Sequence, residues 1–302
     1  MDRARPLLDF IRSKSLADAP LALEIDITLD AGQDEQAELL LRDALQRFPG
    51  SRWLYSCRTR LLARGRHVSF ADPAWPSNIR EALERAATAE VEQRCRALET
   101  LAGALRLRRL ETPGAPALEI PFLLSVAQHD EPVAVRAALV AIAAHPVAGA
   151  LWVLASRARG EDPDLAALAV GALSQLAEAE AELAALVDEG RYHKVPSLLT
   201  ALAEGFCRGP ILRAALRAAL AREDLAGSWC GPWLLRALAP SSEEEDADLC
   251  VPWMHAEAPR ELRSAALALL RASKRAHLPD IVAPLTQDQD RDIAEVARRG
   301  LA

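Results

Sequence analysis

The chain is poor in the residues that build sheets and tight turns. Only 4% of its 302 residues are aromatic, and it has 14 glycines, so a sheet-rich fold has little material to draw on. No apolar run reaches the roughly 18 to 20 residues of a membrane span, so membrane insertion is not expected. The start, MDRARPLLDFIRSKS, has acids near its beginning and no small-residue cleavage site after a long apolar core, which argues against a signal peptide and for a cytoplasmic protein. Five scattered cysteines (Cys57, Cys95, Cys207, Cys230, Cys250) are an odd number and do not suggest a disulfide framework, so reduced thiols are expected. Catalytic signatures are missing as well. There is no G-x-G-x-x-G, no phosphate-binding G-x-x-x-x-G-K, no G-x-S-x-G and no H-E-x-x-H. Lysine is scarce, with Lys14, Lys194 and Lys274 the only three among 36 basic residues. Such an imbalance reflects genomic coding bias more readily than function.

What is present is alanine and leucine, within a chain that is 51% hydrophobic. Both are strong helix formers, so the composition predicts an all-α protein. The net charge of −7 is unevenly spread, and residues 117–302 carry 26 acids against 18 bases, a balance of −8. That stretch should repel a phosphate backbone, so nucleic acid is disfavoured as a partner.

The stretch EPVAVRAALVAIAAHP (131–146) shows the recurring design. Pro132 suits the first turn of a helix, Asp130 and Glu131 suit its positive end, and Val135, Leu139 and Ile142 lie on one stripe. The alanines between them permit close helix contact. Similar segments occupy 162–178, 195–206, 231–240, 258–273 and 290–302, with prolines at 132, 163, 196, 232 and 259, separated by 31, 33, 36 and 27 residues. Second helices are expected over 116–128, 146–158, 210–221, 246–255 and 278–287. An interval near 32 residues with two helices in each predicts an α-solenoid, an α-α superhelix of stacked antiparallel helix pairs.

In these segments the sequence resembles the HEAT-repeat family. Asp130 precedes Val135-Arg136, Glu257 precedes Leu262-Arg263, and Asp288 precedes Ile293 with Ala294 in place of arginine. The units opened by Pro163, Pro196 and Pro232 lack the arginine and read as degenerate HEAT-like units. The resemblance implies a structural ladder in which these acids and arginines bond between repeats. Upstream, 76–107 fits a further helix pair and 111–116 a connecting loop. Over 21–51, Gly32, Ala37, Ala44 and Pro49 match a tetratricopeptide repeat in part, with Ile25 where that family has a small residue. The organisation expected is tetratricopeptide-like helices over 1–75, a junction at 70–76, and HEAT-like repeats over 76–302.

Four segments carry the chemistry that is present. SRWLYSCRTRLLARGRHVSF (51–70) has five arginines and no acid. Arg58, Arg60 and Arg64 are candidate partner-binding residues there, while the structural alternative packs Trp53, Tyr55, Leu61 and Leu62 inward and leaves the arginines solvated or paired. The loop GRYHKVP (190–196) gathers Arg191, Tyr192, His193 and Lys194 into a candidate anion or ligand site, against the alternative of a solvated connection. Cys230-Gly-Pro-Trp233 and Cys250-Val-Pro-Trp253 invite a metal set of Cys230, Cys250, His255 and Cys207, but the spacing fits no zinc pattern, so they read as helix entries with packed tryptophans. In SSEEEDAD (241–248), Ser241 with Glu244 and Ser242 with Glu245 fit capping boxes, and the run could also dock a basic peptide.

No catalytic, cofactor-binding or metal residue is assigned from the sequence, and no cofactor is expected. The function expected is that of a non-enzymatic protein-protein interaction scaffold whose partner is another protein. Two alternatives rest on the HEAT resemblance. One is a DNA-glycosylase-type enzyme using Trp152 or Trp253, and the other a cofactor-attachment lyase such as those that join bilins.

Overall fold

Proline begins several of the helices, and apolar side chains hold them. In the computed structural model, residues 18–48, 51–66, 75–87, 90–112, 118, 120–273 and 281–299 are described, and among them there is helix and turn but no strand. The chain divides into two compact units, Met1–Val153 and Leu154–Ala302. Most of the junction expected at 70–76 lies outside the described residues, as does Pro49.

The first unit contains α1 (Asp18–Asp30), α2 (Asp34–Arg47), α3 (Arg52–Ala63), α4 (Ser77–Ala86), α5 (Val91–Glu111), α6 (Pro121–His129) and α7 (Pro132–Ala144). Helix α1 packs on α2 and α3, α4 on α5, and α7 on both α5 and α6. Gly32 turns the chain between α1 and α2, and Ala37 and Ala44 are buried where α2 meets its neighbours. In α7, Val135, Leu139 and Ile142 are buried as their spacing predicts, together with Ala134, Ala137, Ala138, Ala141 and Ala144. The buried face is therefore wider than one stripe, and the small side chains let neighbouring helices approach.

The second unit receives the end of α8 (Leu151–Ala158) and continues with α9 (Pro163–Leu173), α10 (Glu180–Asp188), α11 (Ser197–Glu204), α12 (Pro210–Arg222), α13 (Gly231–Leu238), α14 (Arg260–Ala272) and α15 (Arg291–Arg299). Here several helices meet their next-but-one neighbours in sequence. Helix α9 packs on α11, α10 on α12, α13 on α11, α12 and α14, and α14 on α15.

Three elements differ from expectation. The segment 246–255 is not an α-helix but two 3-10 turns, Glu244–Leu249 and Val251–Trp253. Pro252 lies inside it and removes the backbone donor that a continuous helix needs there. The described part of 278–287 ends in another such turn, Ala283–Gln287, around Pro284. Conversely, α10 opens with glutamate rather than proline, and the proline marker passes over it.

Polar ties join elements 25 to 36 residues apart in the chain. Arg159 bonds Glu189 at 2.9 Å, Arg213 bonds Asp246 at 2.8 Å, and Arg260 pairs with Asp290. Arg94, fully buried, pairs with Asp130, and Arg263 bonds Asp288 at 2.9 Å. Asp130 thus closes a buried ion pair rather than capping α7, whose N-cap is Glu131 with no side-chain bond. Glu180 of α10 accepts from the Ile211 and Leu212 amides at 2.6 and 3.1 Å, capping α12 from outside. The N-cap residue of α12 is Gly209, where a Cβ would lie 2.2 Å from the Glu180 carboxylate. A side chain at this position would have to displace the Glu180 carboxylate, and with it the borrowed cap.

Candidate functional site

The loop 190–196 begins where α10 ends. Gly190 adopts a left-handed conformation (φ 66°) that lets the helix stop, and Arg191–His193 form a 3-10 turn. This short turn sends adjacent side chains in different directions. Arg191 donates to the backbone carbonyls of Ala158 and Gly160 at 3.1 and 2.6 Å, closing the exposed end of α8. Arg191 and the exposed Lys194 also line a cavity of about 240 Å³ with Gly160, Glu161, Pro163 and Val195. Glu161 and the adjacent Asp162, which caps α9 through the Asp164 and Leu165 amides at 2.9 and 3.1 Å, offset the two cations. The cavity is mixed in charge rather than an anion cradle.

Tyr192 and His193 converge elsewhere. The buried Tyr192 hydroxyl donates to Glu223 Oε1 at 2.8 Å, and His193 Nε2 lies 2.8 Å from the same oxygen. Glu223 immediately follows α12, while Cys230 is the N-cap residue of α13. The Cys230 thiol is buried, lies near the Glu223 carboxylate and is 2.8 Å from Ser228 Oγ. His193, Glu223 and Cys230 each offer a metal-ligating atom, and these atoms lie within 4.8 Å of one another.

The electrostatics follow from that crowding. Burial and the bond to Glu223 push the Tyr192 hydroxyl up to about 12. Burial also raises Cys230; the Ser228 hydrogen bond opposes this and Glu223 adds to it, so the thiol keeps its proton. For Glu223, burial pushes upward, but hydrogen bonds from Tyr192, Cys230 and His193 outweigh it and hold the carboxyl below its ordinary range. The arrangement is one ionised carboxylate that faces a phenol, a thiol and an imidazole.

The arginines of 51–66 have a different fate. Arg58 is buried, pairs with Glu84 and donates to the Ala87 carbonyl at 3.0 Å. Arg60 bonds Asp26 and Asp30, Arg64 bonds Asp34 and the Leu29 carbonyl, and Arg66 bonds Glu35 and Glu38. Acids from α1, α2 and α4 therefore neutralise the basic segment. Leu61 is buried as expected, but Trp53 is 50% exposed rather than packed inward. It lies one residue into α3, while Leu54, Cys57 and Leu61 take the buried stripe. The side chains of Tyr55 and Leu62 lie outside the described residues.

The remaining segments also resolve differently from their spacing. Cys230 does not join Cys250 and His255; the described cluster groups it instead with the upstream residues His193 and Glu223. Cys250 is buried, its thiol pushed up to about 12 by burial and by Asp246. Pro232 does lie in the first turn of α13, and Arg236 stacks over the Trp233 ring at 5.0 Å. In the acidic run, the capping box is formed by Glu243 and Asp246. The Ser241 and Ser242 hydroxyls turn back to the Leu238 and Ala239 carbonyls, at 3.2 and 2.8 Å. Arg213 bonds Glu243, Glu245 and Asp246, and Arg217 bonds Glu245 at 2.5 Å, so this run is occupied from within.

Compared with known proteins, the chain matches no protein-family model, no curated protein and no solved structure.

Proposed function

We propose that the chain is a non-enzymatic scaffold of the α-solenoid class, with HEAT-like repeats following tetratricopeptide-like helices, that binds another protein. The observation supporting this reading is the set of side-chain ties across about one repeat interval, such as Arg60–Asp30, Arg159–Glu189, Tyr192–Glu223 and Arg213–Asp246. Repeats that satisfy one another in this way leave a long row of helix ends and loops for recognition. Exposed aromatics at such ends, Trp152, Phe206 and Trp229, are the type of residue that is enriched in protein interfaces. The test is affinity capture with the intact chain after nuclease treatment. A stoichiometric protein that is lost with Phe206→Ala or Trp229→Ala supports the scaffold. Recovery of nucleic acid alone, or of no macromolecule, overturns it.

A further inference from the structure

The cluster beside α12 has the composition of a transition-metal centre. Imidazole nitrogen, carboxylate oxygen and thiolate sulfur are the three donor types that zinc takes, at about 2.0–2.1, 2.0–2.2 and 2.3 Å respectively. We propose that His193 Nε2, a Glu223 carboxylate oxygen and Cys230 Sγ form a three-ligand site for a divalent cation of the zinc class.

Four features of the geometry carry the assignment. The ligand atoms already lie within 4.8 Å of one another. Tetrahedral coordination places such donors about 3.3 to 3.6 Å apart, so the 2.8 Å His193–Glu223 pair opens by about half an ångström and the widest pair closes by about one. These are side-chain adjustments. The supporting contacts are also in place, because the Tyr192 hydroxyl holds Glu223 and the Ser228 hydroxyl touches Cys230 sulfur. Metal ligands are oriented by such neighbours.

Charge and access agree as well. A thiolate and a carboxylate cancel the two positive charges of the cation, and imidazole adds none, so the complex is neutral where Cys230 is buried. Binding displaces the proton of the Cys230 thiol to solvent, and the imidazole coordinates through Nε2 as its neutral tautomer, with its one proton on Nδ1. His193 is 48% exposed at its side chain, which leaves a fourth position facing solvent, open to water or to a donor from a bound partner. The cation ties the loop 190–196 to the end of α12 and the start of α13. This goes beyond the scaffold reading and does not depend on it.

The experiment uses the intact chain without a histidine tag, stripped by chelator and titrated with Co²⁺ and then Zn²⁺. One equivalent of Co²⁺ is expected to produce a thiolate-to-cobalt charge-transfer band and the intense visible bands of a four-coordinate ion, both bleached by Zn²⁺. Cys230→Ser should abolish the charge-transfer band, and His193→Ala should weaken binding by at least about tenfold; Tyr192→Phe, which removes only a supporting contact, should also weaken it about tenfold. Because Cys230 is buried, its variant is judged only if its circular dichroism is native. His193 is half exposed, and its variant tests the site if Cys230→Ser does not fold. Absence of the charge-transfer band in the native chain, or superimposable titrations of the native chain and His193→Ala, overturns the proposal.

Discussion

Segment 51–66 and loop 190–196 both concentrate cations, yet their side chains end on different chemistry. In the first, Arg60, Arg64 and Arg66 meet carboxylates of α1 and α2. In the second, Arg191 meets two backbone carbonyls, while Tyr192 and His193 share a single glutamate with a cysteine beside it. The first arrangement consumes charge and leaves a nearly balanced surface. The second spends few charges and brings unlike functional groups to one point. A basic run in a sequence therefore says little about function until the acids folded against it are known.

Substitutions can break this contrast, beginning with the largest effect. Arg58→Ala should cost about 3 to 5 kcal/mol, because it strips a buried ion pair of one member and leaves Glu84 and the Ala87 carbonyl facing its absence. Equilibrium urea unfolding reads this directly, and a loss below about 1 kcal/mol would place Arg58 with the solvated arginines of its segment. Tyr192→Phe should cost about 2 kcal/mol, the worth of a hydrogen bond to a charged group. The same unfolding assay checks it, and a neutral result would mean that Glu223 is held without the tyrosine. Arg191→Ala removes two bonds to carbonyls and should cost about 1 to 2 kcal/mol with little response to salt. At the small end, Arg64→Gln should cost less than about 1 kcal/mol and Arg66→Gln less than Arg64→Gln, and raising the salt concentration should shrink both losses. Melting curves at two ionic strengths separate the two regions, and equal salt dependence would erase the distinction between them.

The helices were legible because proline and acid open many of them and alanine with leucine fills their buried faces. Where those markers failed, the physics is local. Helix α10 has no proline at its start, and Pro252 stops a helix that its neighbours would favour. The ends of the polar side chains were harder to foresee. Arg60 and Asp30, Arg64 and Asp34, and His193 and Glu223 are each separated by 30 residues. The spacing seen in the prolines was therefore also the spacing of the contacts, a signal that could have led from His193 to Glu223. Cys230 follows seven residues later, after the turn into α13, and periodicity alone does not place it. Of the acids and arginines that the HEAT resemblance singled out, Asp130, Arg263 and Asp288 make buried ion pairs, whereas Arg136 and Glu257 are exposed. The resemblance gave no indication of Arg94, which lies upstream of the quoted motifs.

The cap that Glu180 lends to α12 has a kinetic consequence. Because the Ile211 and Leu212 amides are satisfied by α10, protection of these amides from solvent exchange depends on a helix that lies some thirty residues earlier in the chain. They should exchange together with the opening of α10 rather than with fraying of α12's own first turn. A helix whose first amides are closed by another loses that closure when the other is removed, so α10 and α12 are expected to open together.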